Sequence, residues 1–123
     1  ANVVIHAHAP FATILANAGI PFLPVSSEAA FFGGDIARVP YMTPGSDELA
    51  EAVSTIMMDE WAVFMVNHGV VCAGRSLRKA CDTIQIIERT AEVILGCFAV
   101  GKEPTLLPQS AIDKFRAIGD IIA

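Results

Sequence analysis

The chain has 123 residues, a normal length for one domain, of which 54% are hydrophobic and only 17% are charged. Its net charge of −5, with eight scattered basic residues, argues against nucleic acid and anionic membrane surfaces as partners. The apolar runs are far shorter than the roughly 20 residues that cross a bilayer, so a membrane span does not explain the high hydrophobic content. We therefore expect identical subunits or further polypeptide to cover part of the apolar surface.

The order of apolar, capping and turn residues predicts an α/β domain in which helices cover a sheet. Gly19 is expected to end the first helix in a left-handed conformation, and Ser46 to cap a later one. Pro40 confines its strand to a sheet edge, because proline cannot donate to a ladder. In chain order we expect a strand at 2–8, a helix at 11–18, helical turns at 27–32, a strand at 36–41, a helix after Ser46, strands at 61–67 and 69–73, and helices at 77–100 and 109–118.

We interpret residues 1–123 as a single domain that is incomplete at its N-terminus, because the chain opens inside the first strand without an initiator methionine. Cys72, Cys81 and Cys97 are odd in number and form no CxxC pair, which indicates buried free thiols in a reducing compartment. Since the opening residues also lack a signal-peptide pattern, we expect a cytoplasmic protein.

Three histidines are the candidate functional residues, and they are the only histidines in the sequence. Side chains at i and i+2 of a strand share a face, so His6 and His8 point the same way near the strand end that Pro10 marks. The same pattern is found for histidines that satisfy core hydrogen bonds or lie solvated at a strand end, so the pair alone leaves both interpretations open. His68 strengthens the metal interpretation, because it follows a second strand and precedes Gly69, where a missing side chain permits close approach.

A site of three imidazoles with no thiolate and no obvious fourth ligand is typical of Zn²⁺ with an open coordination position, which is the catalytic pattern. Ligand type alone does not distinguish Zn²⁺ strongly from Fe²⁺, Co²⁺ or Mn²⁺. Asn67 would point to the opposite face of a regular strand and is given no ligand role.

At these residues the chain resembles the class II aldolase/adducin family, as represented by the fuculose-phosphate aldolases. The match rests on Val-Val-Ile-His-Ala-His-Ala-Pro at 3–10 and on Asn-His-Gly-Val-Val at 67–71, with Gly74 close behind. The turn at 44–45 and Glu-Arg-Thr-Ala at 88–91 also fit. The resemblance runs from the first residue to about residue 100 and corresponds to the C-terminal part of the family domain.

The resemblance implies a central, mainly antiparallel β-sheet covered by helices on both faces, with the N-terminal part of the three-layer fold missing. It implies that His6, His8 and His68 bind a divalent metal that stabilises the enediolate formed from a small hydroxy-carbonyl compound, such as a sugar phosphate. It also implies a homotetramer.

The chain departs from the family pattern at several functional positions. The catalytic acid/base and the phosphate-binding residues are expected upstream of Ala1, so no catalytic or substrate-binding residue is assigned here. A tyrosine used by some aldolases would fall near Val25, and an aspartate used by phosphopentose epimerases near Ala30. Both positions are apolar, which favours a divergent aldolase, a decarboxylase or a dehydratase over a fuculose-phosphate aldolase or ribulose-phosphate epimerase.

Two other functions are alternatives to the lyase. A non-enzymatic, adducin-like interaction domain would bind a protein partner without metal, and an iron-dependent oxygenase-like variant would consume oxygen.

Glu88 lies on the apolar stripe of the long helix, where a buried carboxylate needs a partner. We expect a structural ion pair, for example with an arginine, or an interface contact there, in preference to a role in orienting a metal-binding side chain or in handling a proton.

Overall fold

The computed structural model describes residues 1–122, which form a mixed α/β domain of four strands and five helices. In chain order these are β1 (Val3–Ala7), α1 (Pro10–Asn17), α2 (Ser27–Ala30), β2 (Arg38–Val39), α3 (Asp47–Met57), β3 (Ala62–Met65), β4 (Gly69–Gly74), α4 (Leu77–Ala99) and α5 (Gln109–Ile122). Each element falls where the sequence predicts it. Two strands are shorter than expected: the strand expected at 36–41 is only Arg38–Val39, and β3 ends at Met65 because a turn begins at Val66.

The four strands form one mixed sheet in the order β1-β4-β3-β2. β4 pairs antiparallel with β1 and with β3, whereas β2 pairs parallel with β3. The parallel pairing follows from the chain path, since α3 carries the chain across the sheet between β2 and β3. The sheet is therefore antiparallel in two of its three pairings, and β2 lies at an edge as Pro40 predicts.

Alternating side chains of the sheet enter two hydrophobic clusters, one on each face. Phe64 and Val70 pack on the face covered by α1 and α4, together with Leu15 and Ile87 from those helices. The opposite face contributes Val63, Met65 and Val71, which pack with Leu49 and other side chains around α3. The expected helices on both faces are therefore confirmed.

The α3 side of the sheet is open at β1. Val4 points to this side and is 66% exposed, and His6, two residues further along the strand, is also exposed. Side chains on this part of β1 are therefore accessible from outside the domain.

Caps and turns form at the residues that the sequence marks. The Ser46 hydroxyl accepts a hydrogen bond from the backbone N–H of Leu49 and caps α3, and Gly19 follows α1 with a φ of +68°. Among the helices described in residues 1–122, none combines the length and hydropathy needed to span a membrane.

Candidate metal centre

The three histidines, which the sequence separates by some sixty positions, lie together at one end of the β1–β4 pair. His6 belongs to β1, His8 follows the end of that strand, and His68 ends the turn that leads into β4. Their ring centroids are 4.8 to 5.2 Å apart, and one ring nitrogen of each lies within 4.8 Å of the other two. The convergence expected from the sequence is therefore present.

The orientation of the His6 ring is set by the backbone of the neighbouring strand. Its Nδ1 lies 3.1 Å from the carbonyl oxygen of Val70, which can only accept, so Nδ1 carries the proton and donates. The Nε2 atom then has a free lone pair, and it faces the Nε2 of His8 at 3.1 Å. A metal-binding histidine commonly donates its other ring N–H in this way, which fixes both the tautomer and the ring plane.

His68 is half-buried, and its environment favours the neutral ring. Burial lowers the pKa of His68, and the charges that His6 and His8 would carry lower it further. Its Nδ1 is buried and has no hydrogen-bond partner among residues 1–122. A neutral imidazole is the form that binds metal, and a buried ring nitrogen without a protein partner is consistent with an additional ligand.

A tight turn over residues 66–68 places His68, and it differs from the regular strand expected there. Asn67 has a φ of +63°, a left-handed conformation that asparagine tolerates better than most residues. The backbone N–H of Asn67 donates to the side-chain oxygen of Asn17 at 2.7 Å, and that of His68 donates to the Met65 carbonyl at 3.0 Å. The expectation that Asn67 lies in a regular strand is wrong, because this residue belongs to the turn.

Gly69 is required by the close approach of β1 and β4 next to the site. A Cβ atom at this position would lie 2.4 Å from the carbonyl oxygen of Ala7 and 3.3 Å from Cε1 of His6. The first of these distances is shorter than any ordinary contact, so only glycine permits the observed strand spacing. This confirms the close backbone approach that the sequence suggested at Gly69.

Glu88 has a different role from the ion pair that the sequence suggested. Its two carboxylate oxygens accept hydrogen bonds from the backbone N–H groups of Phe11 and Ala12, at 3.1 and 2.7 Å. These are the first free amides of α1, so the half-buried carboxylate caps that helix from α4. The expectation of an arginine partner is wrong, because the N-terminus of a helix supplies the two donors.

The two positions at which family residues were expected do not contribute to the histidine group. Ala30 is buried, and Val25 packs against the hydrophobic cluster on the α4 face of the sheet. Neither offers a polar group to a substrate.

A family model, the Class II Aldolase and Adducin N-terminal domain, matches residues 1–95 and so includes all three histidines. The chain belongs to the class II aldolase and adducin family. Among curated class II aldolase relatives, the 5-deoxy-D-ribulose 1-phosphate aldolase of Bacillus thuringiensis serovar kurstaki is 32% identical over 122 residues, covering 96% of this chain and 57% of that protein. The 3-oxo-tetronate 4-phosphate decarboxylase of Escherichia coli strain K12 is 30% identical over 111 residues, covering 84% and 50%.

A solved class II aldolase has the same fold. The structure described as L-fuculose 1-phosphate aldolase superposes with a TM-score of 0.83 at 28% identity, covering 95% of this chain and 55% of that one. The chain therefore spans about half the length of the relatives it matches. The resemblance drawn from the histidine segments is confirmed.

Proposed function

We propose that this class II aldolase chain binds one divalent metal ion through His6, His8 and His68, and that it forms the metal-binding part of a lyase. The observation that carries the proposal is the convergence of three imidazoles, with the Nε2 atoms of His6 and His8 3.1 Å apart. The Nε2 of His6 has a free lone pair, and without metal the Nε2 of His8 can donate its proton to it. A cation in the place of that proton would be shared by the two nitrogens.

The surrounding residues perform the positioning that such a site requires. The Val70 carbonyl fixes the tautomer of His6, and Gly69 lets the two histidine-bearing segments approach each other. His8 is exposed and β1 lies open on this side, so a small molecule can reach the site. The open access favours a catalytic site over a closed structural one.

A divalent ion bound here would supply Lewis acidity, which stabilises negative charge as it develops on neighbouring substrate oxygens. The reactions named for the two relatives, aldol cleavage and decarboxylation, both need this stabilisation of negative charge. Cleavage of an aldol and loss of CO₂ from a 3-oxo acid each leave an electron pair on the carbon next to a carbonyl group. We therefore propose a small hydroxy-carbonyl compound, of the sugar-phosphate class that the relatives' names indicate, as the substrate.

The metal is proposed to be Zn²⁺, because three neutral nitrogen ligands with an open position are typical of catalytic zinc. Fe²⁺, Co²⁺ and Mn²⁺ share this ligand preference in part. The three-histidine group of the described residues includes no carboxylate, so we assign this chain the metal-binding role and assign proton transfer to none of its residues.

Metal content tests the proposal. The wild-type chain, dialysed against Zn²⁺ and then against metal-free buffer, is expected to retain about one ion, and His6→Ala or His68→Ala is expected to lose it. Asp59→Asn, which removes an exposed carboxylate, serves as a control for adventitious binding and should retain the ion. Equal zinc content in the wild type and both histidine variants would refute the proposal.

Aldol cleavage is tested separately, with 5-deoxy-D-ribulose 1-phosphate as the first substrate. Breaking its C3–C4 bond transfers the proton of the C4 hydroxyl to solvent or a base and yields acetaldehyde, while C3 is protonated to give dihydroxyacetone phosphate. Zinc-dependent acetaldehyde release that His68→Ala abolishes would support a lyase. Retained zinc without turnover of this substrate or of a 3-oxo-tetronate 4-phosphate would restrict the proposal to metal binding.

We also propose that the protein is cytoplasmic and assembles as a homotetramer. Several large apolar side chains are exposed in the described part of the chain and could be covered by other subunits: Val4, Ile14, Met58, Leu77, Val93, Val100 and Ile121. Light scattering coupled to size-exclusion chromatography would measure the assembly, and a strictly monomeric chain would contradict it.

A further inference from the structure

We propose that α1 is a brace which sets the distance between His8 and His68, and that Glu88 and Asn17 are the positioning residues at its two ends. The inference rests on the proposed metal site. It concerns hydrogen bonds that tie this helix to the two segments carrying these histidines.

At its N-terminal end, α1 has no local cap. Ala9, the residue before the helix, has no side-chain acceptor, and Pro10 has no N–H to donate. The next two amides, those of Phe11 and Ala12, donate to the carboxylate of Glu88. Glu88 lies 77 residues after Phe11 and 76 residues after Ala12 in the chain. The start of α1 is thus fixed to α4 by a carboxylate at the positive end of the helix, where a negative charge is favourable.

This end of the brace determines where His8 lies. β1 ends at Ala7, so the ladder with β4 does not hold His8. Only Ala9 separates His8 from the helix, so a shift of the helix start is transmitted to His8 through a single residue of backbone. His6, by contrast, is held in the ladder and by the Val70 carbonyl.

The C-terminal end of α1 determines where His68 lies. Asn17 is the last residue of the helix, and its side-chain oxygen accepts the backbone N–H of Asn67 at 2.7 Å. Asn67 has the left-handed φ that turns the chain, and His68 follows directly. Eight residues of helix, about 12 Å long, therefore connect the segments that carry two of the three proposed ligands.

Variants of Asn17 test the brace without altering any proposed ligand. Asn17→Ala removes the acceptor and is expected to weaken Zn²⁺ affinity by about 3- to 10-fold, the effect of losing one hydrogen bond. Asn17→Asp keeps the acceptor and should restore the affinity when it is measured at about 0.3 M salt, which screens the added charge. Affinity is measured by competition with a chromophoric chelator, which needs no catalytic activity.

Asn2→Ala is the matched control. The Asn2 side chain also makes one exposed hydrogen bond to a distant backbone group, the Arg75 carbonyl at 3.1 Å, but at the opposite end of β1. The Asn2→Ala variant should lower the free energy of unfolding about as much as Asn17→Ala does, and it should leave the Zn²⁺ affinity unchanged. The ratio of affinity change to stability change therefore separates positioning from a general loss of structure.

Glu88→Gln provides a second variant, because an amide can accept only one of the two hydrogen bonds. Its Zn²⁺ affinity is expected to fall by at least as much as that of Asn17→Ala. If Asn17→Ala and Glu88→Gln bind zinc as tightly as Asn2→Ala, while His68→Ala does not bind, the brace is refuted and the metal site stands. If His68→Ala binds as tightly as the wild type, the metal site itself is refuted and the brace with it.

Discussion

Replacing Gly69 by alanine tests the packing on which the histidine cluster depends. The added Cβ would lie 2.4 Å from the Ala7 carbonyl oxygen, and Cβ atoms do not come closer than 3.0 Å to such an atom, so β1 and β4 must separate locally by at least about 0.6 Å. Forcing a group into a packed site costs about 1–3 kcal/mol, offset by up to about 1 kcal/mol because alanine loses less conformational entropy than glycine. We expect Gly69→Ala to lower the free energy of unfolding by about 1–2 kcal/mol.

The same substitution should weaken metal binding, because β1 carries His6 and a shift of 0.6 Å is large compared with zinc–nitrogen bonds of about 2.0–2.1 Å. If the metal must restore the original spacing, a strain of about 1–2 kcal/mol appears as a loss of affinity of about 5- to 30-fold.

Urea unfolding of the metal-free protein and chelator competition measure the two quantities. Gly96→Ala in α4 is the matched control, since a Cβ there meets nothing within 4 Å, and alanine should raise stability by up to about 1 kcal/mol without changing zinc affinity. If Gly69→Ala matched the wild type in both stability and affinity, the account of the strand contact would be wrong.

Three further predictions concern local features of the fold. Ser46→Ala removes the cap of α3 and should cost about 1 kcal/mol in urea unfolding, whereas Ser46→Asp should retain most of the stability. Burial raises the pKa of Cys72 to about 12, so in a variant with Cys81 and Cys97 changed to serine, a thiol reagent at pH 8 should react only after unfolding. In the metal-free protein, NMR titration should place the pKa of His68 below its ordinary value of 6.5, and a pKa at or above 6.5 would contradict this. Because the unfolded chain then binds the proton more readily than the folded protein, the free energy of unfolding should decrease as the pH falls below 6.5.

The histidine cluster was predictable because it depends on local rules. The two-residue period of a strand puts His6 and His8 on one side, and Gly69 marks the close approach that brings His68 to them. The sheet edge at β2 followed from Pro40, and the cap of α3 from Ser46, since each is a property of one residue and its immediate neighbours.

The brace was not predictable, because its contacts join residues far apart in the chain. The apolar stripe showed that Glu88 was buried and needed a partner, but nothing local identified that partner as the start of α1. Asn17 resembled any residue at a helix end, and its contact with Asn67 depends on a left-handed turn that the strand pattern concealed. The one sequence signal available was the start of α1, where Ala9 and Pro10 leave the next amides without a local acceptor.

X-ray absorption at the zinc edge of the loaded protein tests most directly whether all three imidazoles bind one ion. We predict a nitrogen shell at about 2.0–2.1 Å with the outer-shell scattering of three imidazole rings, reduced to two rings in whatever zinc His68→Ala retains. A wild-type spectrum with fewer than three imidazole rings, or one that His68→Ala leaves unchanged, would contradict the account.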